Sequence, residues 1–442
     1  MQTQTSIEDV PLNPFHRLLV LRTNGGWLID GYVLSIVGVS MVQMTDALAL
    51  DAFWQGLIGA SAIIGVFFGG FLATALVDRL GRKKLYFVGP ILFLVCSAAQ
   101  LWTDSALLIF LLRLLIGVGV GFEYPVASAL LIEFLPRKYR GSRLAGLTTY
   151  WFVGAALAYV IGNLILNYGG DDAWPWVLAS TSVFALALIL VRLGTPESPR
   201  WLLSKQRIDE ANRIIKRVFG ADFSVKNIMQ QTPEQGVSIS DMFRSGYGAR
   251  LMFVTIFWMC AVIPMFAVYA FAPTVLAALN LTGAWASWGS IAITFMFALG
   301  CVIASAIVES MGRRKLIIHS FLWSALALLG LGWFADAPEI IILGLFSAYG
   351  VLIGGAQVLE LVYPNELFPT EIRPAAVALG ASFSRIGAAV GTFLVPVALN
   401  AIGIVYTMYA AAAVTFLGLL VSIWLAPETK GLSLDEAASL KR

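Results

Sequence analysis

Histidine is almost missing from this sequence: His16 and His319 are the only two, too few for a histidine-based metal centre. Cysteine is nearly as scarce. Cys96, Cys260 and Cys301 each sit inside an apolar run, in odd number and without metal-ligand spacing, so neither a disulfide framework nor a zinc site is expected. Charge is also short, at 12% of 442 residues against about 25% in a soluble protein. A water-soluble fold could not cover its surface with so little. The net charge of +3 is small and diffuse, which argues against a nucleic-acid partner. No nucleophile–base set, metal motif or nucleotide loop is present, so neither an enzyme nor a cofactor is expected. What the chain has is apolar surface: 59% hydrophobic residues, far above the level of a disordered segment. The partner this implies is the lipid bilayer.

A spanning helix needs about 20 mostly apolar residues. Twelve such runs are found, at 18–42, 54–77, 85–102, 106–132, 144–166, 174–193, 251–279, 285–308, 316–334, 339–362, 374–399 and 404–426. The connectors are short except for 195–250, which is charged and predicted to hold short surface helices. Of the 29 Lys and Arg, three lie within runs (Arg22, Arg113 and Arg385). The others fall in the terminal segments, in the even-numbered loops or at the adjoining span ends. Cytoplasmic loops carry this excess, so both termini are cytoplasmic. Residues 1–16 are polar and do not read as a cleaved signal peptide. An all-α, multi-pass protein of the plasma membrane, the bacterial inner membrane, is expected.

The chain repeats itself. Asp78-Arg79-Leu80-Gly81-Arg82-Lys83-Lys84 is matched by Glu309-Ser310-Met311-Gly312-Arg313-Arg314-Lys315, 231 residues on. Glu133, Pro136 and Arg140 are matched by Glu366, Pro369 and Arg373 at 233, and Pro196-Glu197 by Pro427-Glu428 at 231. Two homologous six-helix halves follow, 1–194 and 251–442, joined by a cytoplasmic linker at 195–250. Parallel repeats with a site between them characterise one large class of secondary transporter.

Through these motifs the chain resembles the major facilitator superfamily, in its branch of sugar-porter-like and metabolite:proton symporters. The segment Asp78–Lys84 is similar to the superfamily's signature loop. Pro196-Glu197-Ser198-Pro199-Arg200-Trp201 and Pro427-Glu428-Thr429-Lys430-Gly431 are similar to the sugar-porter mid-chain and C-terminal motifs. The resemblance covers the whole chain and implies twelve helices in two pseudo-symmetric bundles, a small-molecule substrate moved with protons, and action as a monomer. Independently of it, an acid beside a helix start complements the helix dipole, and Gly81 and Gly312 permit sharp turns. Acids and arginines on neighbouring helix ends can pair to hold the inner side shut. Gating is therefore expected of Asp78, Gly81, Arg82, Glu133, Arg140, Glu309, Arg313, Glu366 and Arg373.

Charges within spans that do not repeat are more informative. Asp30, Arg113 and Glu123 map onto Ala261, Phe346 and Ala356, and Arg385 maps back onto Phe152. A central charge costs at least about 2.5–3.5 kcal/mol on insertion scales, so one retained outside the repeat scaffold points to ion or substrate chemistry. A carboxylate in a low-dielectric cavity can load and release a proton near neutral pH, and a nearby arginine switches that affinity. Asp30 with Arg113 fits, and so does Glu123. In related symporters an acid on span 1 and an arginine on span 4 form the coupling pair. Several relatives have a second acid where this chain has Val33, which leaves the proton carrier open between Asp30 and Glu123.

Arg385, midway through span 11, points to the substrate, because guanidinium grips a carboxylate through two parallel hydrogen bonds. Ser384-Arg385-Ile386-Gly387 resembles bacterial nicotinate and metabolite transporters, and the polar residues by which hexose porters contact sugar are missing from spans 5 and 7. Aromatic residues stand there instead, and Tyr124, Trp151, Trp258 and Tyr269 are the candidates to sandwich a flat ring. The expected function is proton-coupled uptake of a small organic anion, an aromatic carboxylate such as nicotinate or a sugar acid; the alternative is a proton:sugar symporter.

Overall fold

The computed structural model describes residues 7, 10–170, 172–227, 244, 246–281, 283–369, 372–432 and 434–439. Among these all regular structure is helical, as a lipid-embedded backbone requires when no water can satisfy its N–H and C=O groups. Span 1 runs Pro14–Leu48, span 2 Ala52–Leu80, span 3 Arg82–Trp102 with a break after Leu85, and span 4 Ala106–Phe134. Span 5 is Arg137–Gly169 and span 6 Trp174–Arg192. Spans 7 to 10 are Gly248–Ala278, Ala284–Met311, Arg313–Trp333 and Glu339–Leu367. The starts are written in the sequence. Asn13, just before Pro14, and His16, in the first turn, cap each other reciprocally, and the Asp51 carboxylate accepts from the Trp54 N–H at 2.9 Å.

Spans 11 and 12 are joined more tightly than the hydropathy suggests. The helix Arg373–Leu425 is interrupted at Gly403, whose φ of 75° and ψ of 175° reverse the chain. Its apolar stretch, Ala376–Leu425, holds 50 residues. At 1.5 Å per residue that is about 75 Å, more than twice the roughly 30 Å hydrocarbon core, so it crosses twice and the crossings among the described residues number twelve. Span 7 also breaks, at Phe271 between Pro264 and Pro273.

Within a bilayer small residues let helices approach closely. A Cβ at Gly121 of span 4 would overlap the backbone of Gly69 and Gly70 on span 2. One at Gly354 of span 10 would overlap Gly300 on span 8, so the repeat recurs as the same crossing in each half. Span 1 meets span 5 in the same way, Gly31 under the Trp151 carbonyl and Gly154 under that of Leu28. The halves meet where span 2 packs on span 11, span 5 on span 8 and span 1 on span 7. Toward the outer end, Gly38 lies against the Tyr269 and Ala270 carbonyls, Gly59 against the Phe271 ring, and the Tyr159 hydroxyl donates to the Tyr269 carbonyl at 2.7 Å.

On the cytoplasmic side, short helices Pro199–Ser204 and Ile208–Phe219 follow span 6. The second lies against the N-terminal segment, with Asn13 Nδ2 donating to the Val218 carbonyl at 2.6 Å.

Replacing Gly31 by Val should cost about 1–3 kcal/mol, the usual range for overpacking, because backbone rather than a mobile side chain fills the space. Gly70→Ala, with nothing within 4 Å, should be neutral. Thermal unfolding in detergent, followed by cysteine-reactive dye, compares the two.

Candidate functional site

Among the described residues of the N-terminal half five charged side chains are buried: Arg22, which donates to the Val191 and Leu193 carbonyls at 2.7 and 2.8 Å, and deeper in, Asp30 at 0% exposure, Arg113 at 1%, Glu123 at 2% and Arg192 at 0%. Their pairing differs from the sequence expectation. Glu123 is held by Arg192 at the inner end of span 6, both guanidinium nitrogens reaching its two carboxylate oxygens, Nη1 to Oε2 at 2.9 Å. Arg192 also donates to the Tyr86 carbonyl at 2.6 Å and lies over the Tyr86 ring, 3.6 Å from its centroid. Span 1 admits this cluster only because residue 26 is glycine; a Cβ there would collide with both the Glu123 carboxylate and the Arg192 guanidinium.

Asp30 lies one turn outward of Gly26 on span 1. Neither carboxylate oxygen has a hydrogen-bond partner among the described residues, and the charges facing it are those of Glu123 and Arg192. Arg113 does not pair with it. Its Nη2 donates to the Val33 carbonyl, three residues further out on span 1, at 3.3 Å, and its Nε is unpartnered. Asp30 therefore sits between a closed ion pair on its inner side and an arginine bound to backbone on its outer side.

Arg385 faces the N-terminal half. Its guanidinium carbon lies 5.7 Å from the Tyr124 ring and 5.5 Å from that of Phe266 on span 7, within cation–π range. Tyr124 is the link between halves: the charges that act on it are those of Arg385, Asp30 and Glu123, and its hydroxyl lies beside the Trp151 indole. Trp27 packs on Tyr124 at 4.9 Å, and Trp151 meets Phe266 at 6.0 Å and Tyr269 at 5.4 Å. Of the four aromatic candidates, Tyr124 and Trp151 stand beside Arg385 or Phe266. Tyr269 belongs to the outer contact between the halves, through its backbone carbonyl. Trp258 is buried against Gly380 of span 11, with an unpartnered Nε1.

At the cytoplasmic rim the repeat builds one device twice. Gly81 (φ 89°) ends span 2 and starts span 3, and Glu197 accepts from the Arg82 and Lys83 N–H groups at 2.9 and 3.1 Å. Gly312 (φ 87°) ends span 8, and Glu428 accepts from the Arg313 and Arg314 N–H groups at 3.0 and 3.2 Å. Each carboxylate thus caps a helix start that its glycine leaves open, where the dipole favours an anion. Arg82 then reaches Glu133 at 3.3 Å, and Arg313 reaches Glu366 at 2.9 Å and Glu309 at 2.7 Å. Ser198 and Thr429 donate to Glu133 and Glu366 in turn. Arg373 donates to the Phe368 carbonyl at 3.1 Å. The side chains of Asp78 and Arg140 lie outside the described residues. Every pair described here closes within its own half. Glu197 and Glu428 are the rim residues that motif spacing marked only as part of a pattern; the signal was their position just after the last span of each half.

Twelve spans in two repeated bundles, with outer contacts between them and buried charge on both sides of the seam, define a secondary transporter of the major facilitator fold. The family model for sugar (and other) transporters matches residues 30–440, and the chain belongs to that family, a family of transporters rather than enzymes. The inner membrane metabolite transport protein YgcS of Escherichia coli is 34% identical over 434 residues, covering 98% of this chain and 96% of its own. The partially occluded, inward-open structure of the xylose transporter XylE from E. coli superposes with a TM-score of 0.80 at 20% identity, over 95% of this chain and 100% of that one. That likeness is one of fold. At 23% identity, over 88% of each chain, the niacin transporter NiaP of Acinetobacter baylyi is also similar. The protein is a multi-pass transporter of the bacterial inner membrane.

Removing one member of a buried ion pair leaves the other uncompensated, at a cost of about 3–5 kcal/mol. Arg192→Met should destabilise the protein by that order, and adding Glu123→Gln should recover much of the loss. Unfolding of both variants in detergent checks this.

Proposed function

We propose that this protein takes up a small organic anion together with a proton, by alternating access between its two halves. Asp30 is the proton carrier in this reading. Glu123, the other candidate, is committed to Arg192, whereas Asp30 has no hydrogen-bond partner and lies one turn from an arginine that holds only a carbonyl oxygen. A protonated Asp30 leaves Arg113 on the Val33 carbonyl; an ionised one draws the guanidinium inward. Tyr124 touches the fields of both Asp30 and Arg385, so it is the path by which proton loading is felt at the substrate.

The observation that carries the substrate class is Arg385: a half-buried guanidinium at the seam, flanked by the faces of Tyr124 and Phe266, with no ion pair among the described residues. A flat carboxylate satisfies both features, its ring against the aromatics and its charge on the arginine. An aromatic carboxylate of the nicotinate type, or a sugar acid, fits. The similarity to a niacin transporter supports the first, and the match to the sugar (and other) transporter family keeps a neutral sugar as the second reading. The rim residues, Asp78 and Arg140 among them, are proposed to control the inner opening by bracing each half as a unit. Segment 195–250 serves as the linker between the halves at 1–194 and 251–442.

In proteoliposomes, uptake should rise with an inward proton gradient and collapse with a protonophore, and Asp30→Asn should abolish accumulation while sparing counterflow exchange. Uptake of the wild type that ignores the gradient would instead mark a facilitator. For the anion site, wild-type protein should bind nicotinate in preference to nicotinamide. Arg385→Lys, which keeps the charge and loses the fork, should weaken binding by about 1.5–3 kcal/mol. Calorimetry reads both, and equal affinity for acid and amide would return the neutral sugar to first place.

A further inference from the structure

The first span of each half begins with the same device, built from different residues. In the N-terminal half the Asn13 side chain accepts from the His16 N–H at 2.9 Å, and His16 Nδ1 accepts from the Asn13 N–H at 3.1 Å. Held in this way, Asn13 Nδ2 donates to the Val218 carbonyl at 2.6 Å, in the last turn of the helix Ile208–Phe219, where carbonyls have no partner within the helix. The His16 ring lies 5.5 Å from that of Phe219 and is fully buried, with Nε2 unpartnered among the described residues. Further back, the Ile7 N–H donates to the Asn227 carbonyl at 3.3 Å, and the Ile7 side chain packs on Ile215. The chain ahead of span 1 is thus a strap that holds the linker helix against the N-terminal half.

The C-terminal half fills the same place with a permanent cation. Tyr247 and Arg250, 234 residues after Asn13 and His16, open span 7. The Tyr247 hydroxyl donates to the Ala438 carbonyl at 2.9 Å, and Arg250 donates to the Ala437 and Ser439 carbonyls at 2.9 and 2.7 Å. Arg250 also reaches the Leu367 carbonyl, where span 10 ends, at 2.8 Å. Each half therefore ties a cytoplasmic helix beyond its last span to the start of its first. Arginine keeps its charge at any working pH, whereas histidine changes charge near about pH 6.5.

An imidazole nitrogen accepts a hydrogen bond only while it is unprotonated. A proton on His16 Nδ1 would stand opposite the Asn13 N–H, so the proton and the closed cap exclude each other. Among the described residues, the charges on the surrounding elements are engaged elsewhere. Arg17 on span 1 and Arg213, Lys216 and Arg217 on the linker helix are exposed, and Glu133 near the end of span 4 is bound by Arg82 and Ser198. We propose that His16 is a cytoplasmic pH switch on this strap: neutral, it closes the cap and holds the helix Ile208–Phe219, and protonated, it opens the cap and loosens that hold. The strap is firm at neutral pH and slackens as pH falls, while the Arg250 tie in the other half does not respond. The inference stands whatever solute is carried.

The test uses full-length protein in detergent with isotope-labelled histidine, followed by nuclear magnetic resonance. His16 and His319, which is exposed on span 9, are the only two histidines, and His319→Gln assigns the signals. The His16 ring should be neutral with its hydrogen on Nε2 at about pH 7.5 and should gain a proton by about pH 5.5. Over the same range amide exchange in Ile208–Phe219, measured against Leu434–Ala438 as internal reference, should quicken by roughly fivefold, the weight of one lost cap. His16→Gln supplies the acceptor of a capping box and cannot titrate, so it should hold the slow rate at both pH values. A His16 ring still neutral at the acid end, an unchanged exchange ratio in the wild type, or the same acid response in His16→Gln overturns the inference. Should His16→Gln not fold, the wild-type titration and exchange ratio still decide.

Discussion

A charge in the middle of a bilayer has to find its complement inside the protein, and that requirement organises the interior of this transporter. In the N-terminal half the complement is Arg192. By taking both oxygens of Glu123 and stacking on Tyr86, it ties span 4 and the start of span 3 to the end of span 6. Span 1 runs past this tie at Gly26, and the contact fixes where Asp30 can stand. Both oxygens of Glu123 are taken by this pair, whereas those of Asp30, one turn outward of Gly26 on span 1, have no hydrogen-bond partner among the described residues. Two buried carboxylates on neighbouring helices thus stand in opposite circumstances, one locked into the packing and one left out of it.

The halves share a scaffold and differ in what they bury. Glycine crossings, glycine turns and acid-capped helix starts occur twice, at equivalent places. The buried charges do not repeat. The N-terminal half carries an acid, an ion pair and two backbone-bound arginines; the C-terminal half carries Arg385 against the Tyr124 and Phe266 rings. Tyr124 and Phe266 lie at the seam between these two sets. A duplicated frame moving around an unduplicated charge set is what alternating access between unlike ligands, a proton and a solute, calls for.

Much of this was legible in the residues. Apolar runs located every span, because lipid punishes a gap in a helix's apolar length, but not every end: span 5 begins at Arg137 rather than 144 and span 1 runs on to Leu48. The rim motifs located the helix starts, because a glycine turn followed by basic residues has few structural meanings. Neighbour relations were harder. Arg192 reads as one more basic residue at a span end, where topology alone would put it, and nothing in span 6 says that its end leans on span 4. Trp258 and Tyr269 read as equal candidates on span 7; which of them points to the seam depends on how that helix is rotated, which several apolar faces leave open. The expected Asp30–Arg113 pair failed for a similar reason. Helical spacing puts both at matching depth, but the arginine finds a carbonyl first. Hydropathy gives depth along the membrane normal and is nearly silent about azimuth.

The two ends of the molecule are held by different forces. Outside, the halves meet through glycines pressed on carbonyl oxygens and a tyrosine hydroxyl bound to backbone. Inside, carboxylates, guanidiniums and helix dipoles dominate. Dissolved ions screen the second kind of contact and barely touch the first. The outer contact between the halves is accordingly a dry fit whose strength is set by shape, while the inner bracing within each half answers to the ionic composition of the cytoplasm. A cell that changes its internal salt would retune the stiffness of the two inner rims and leave the outer seam as it was.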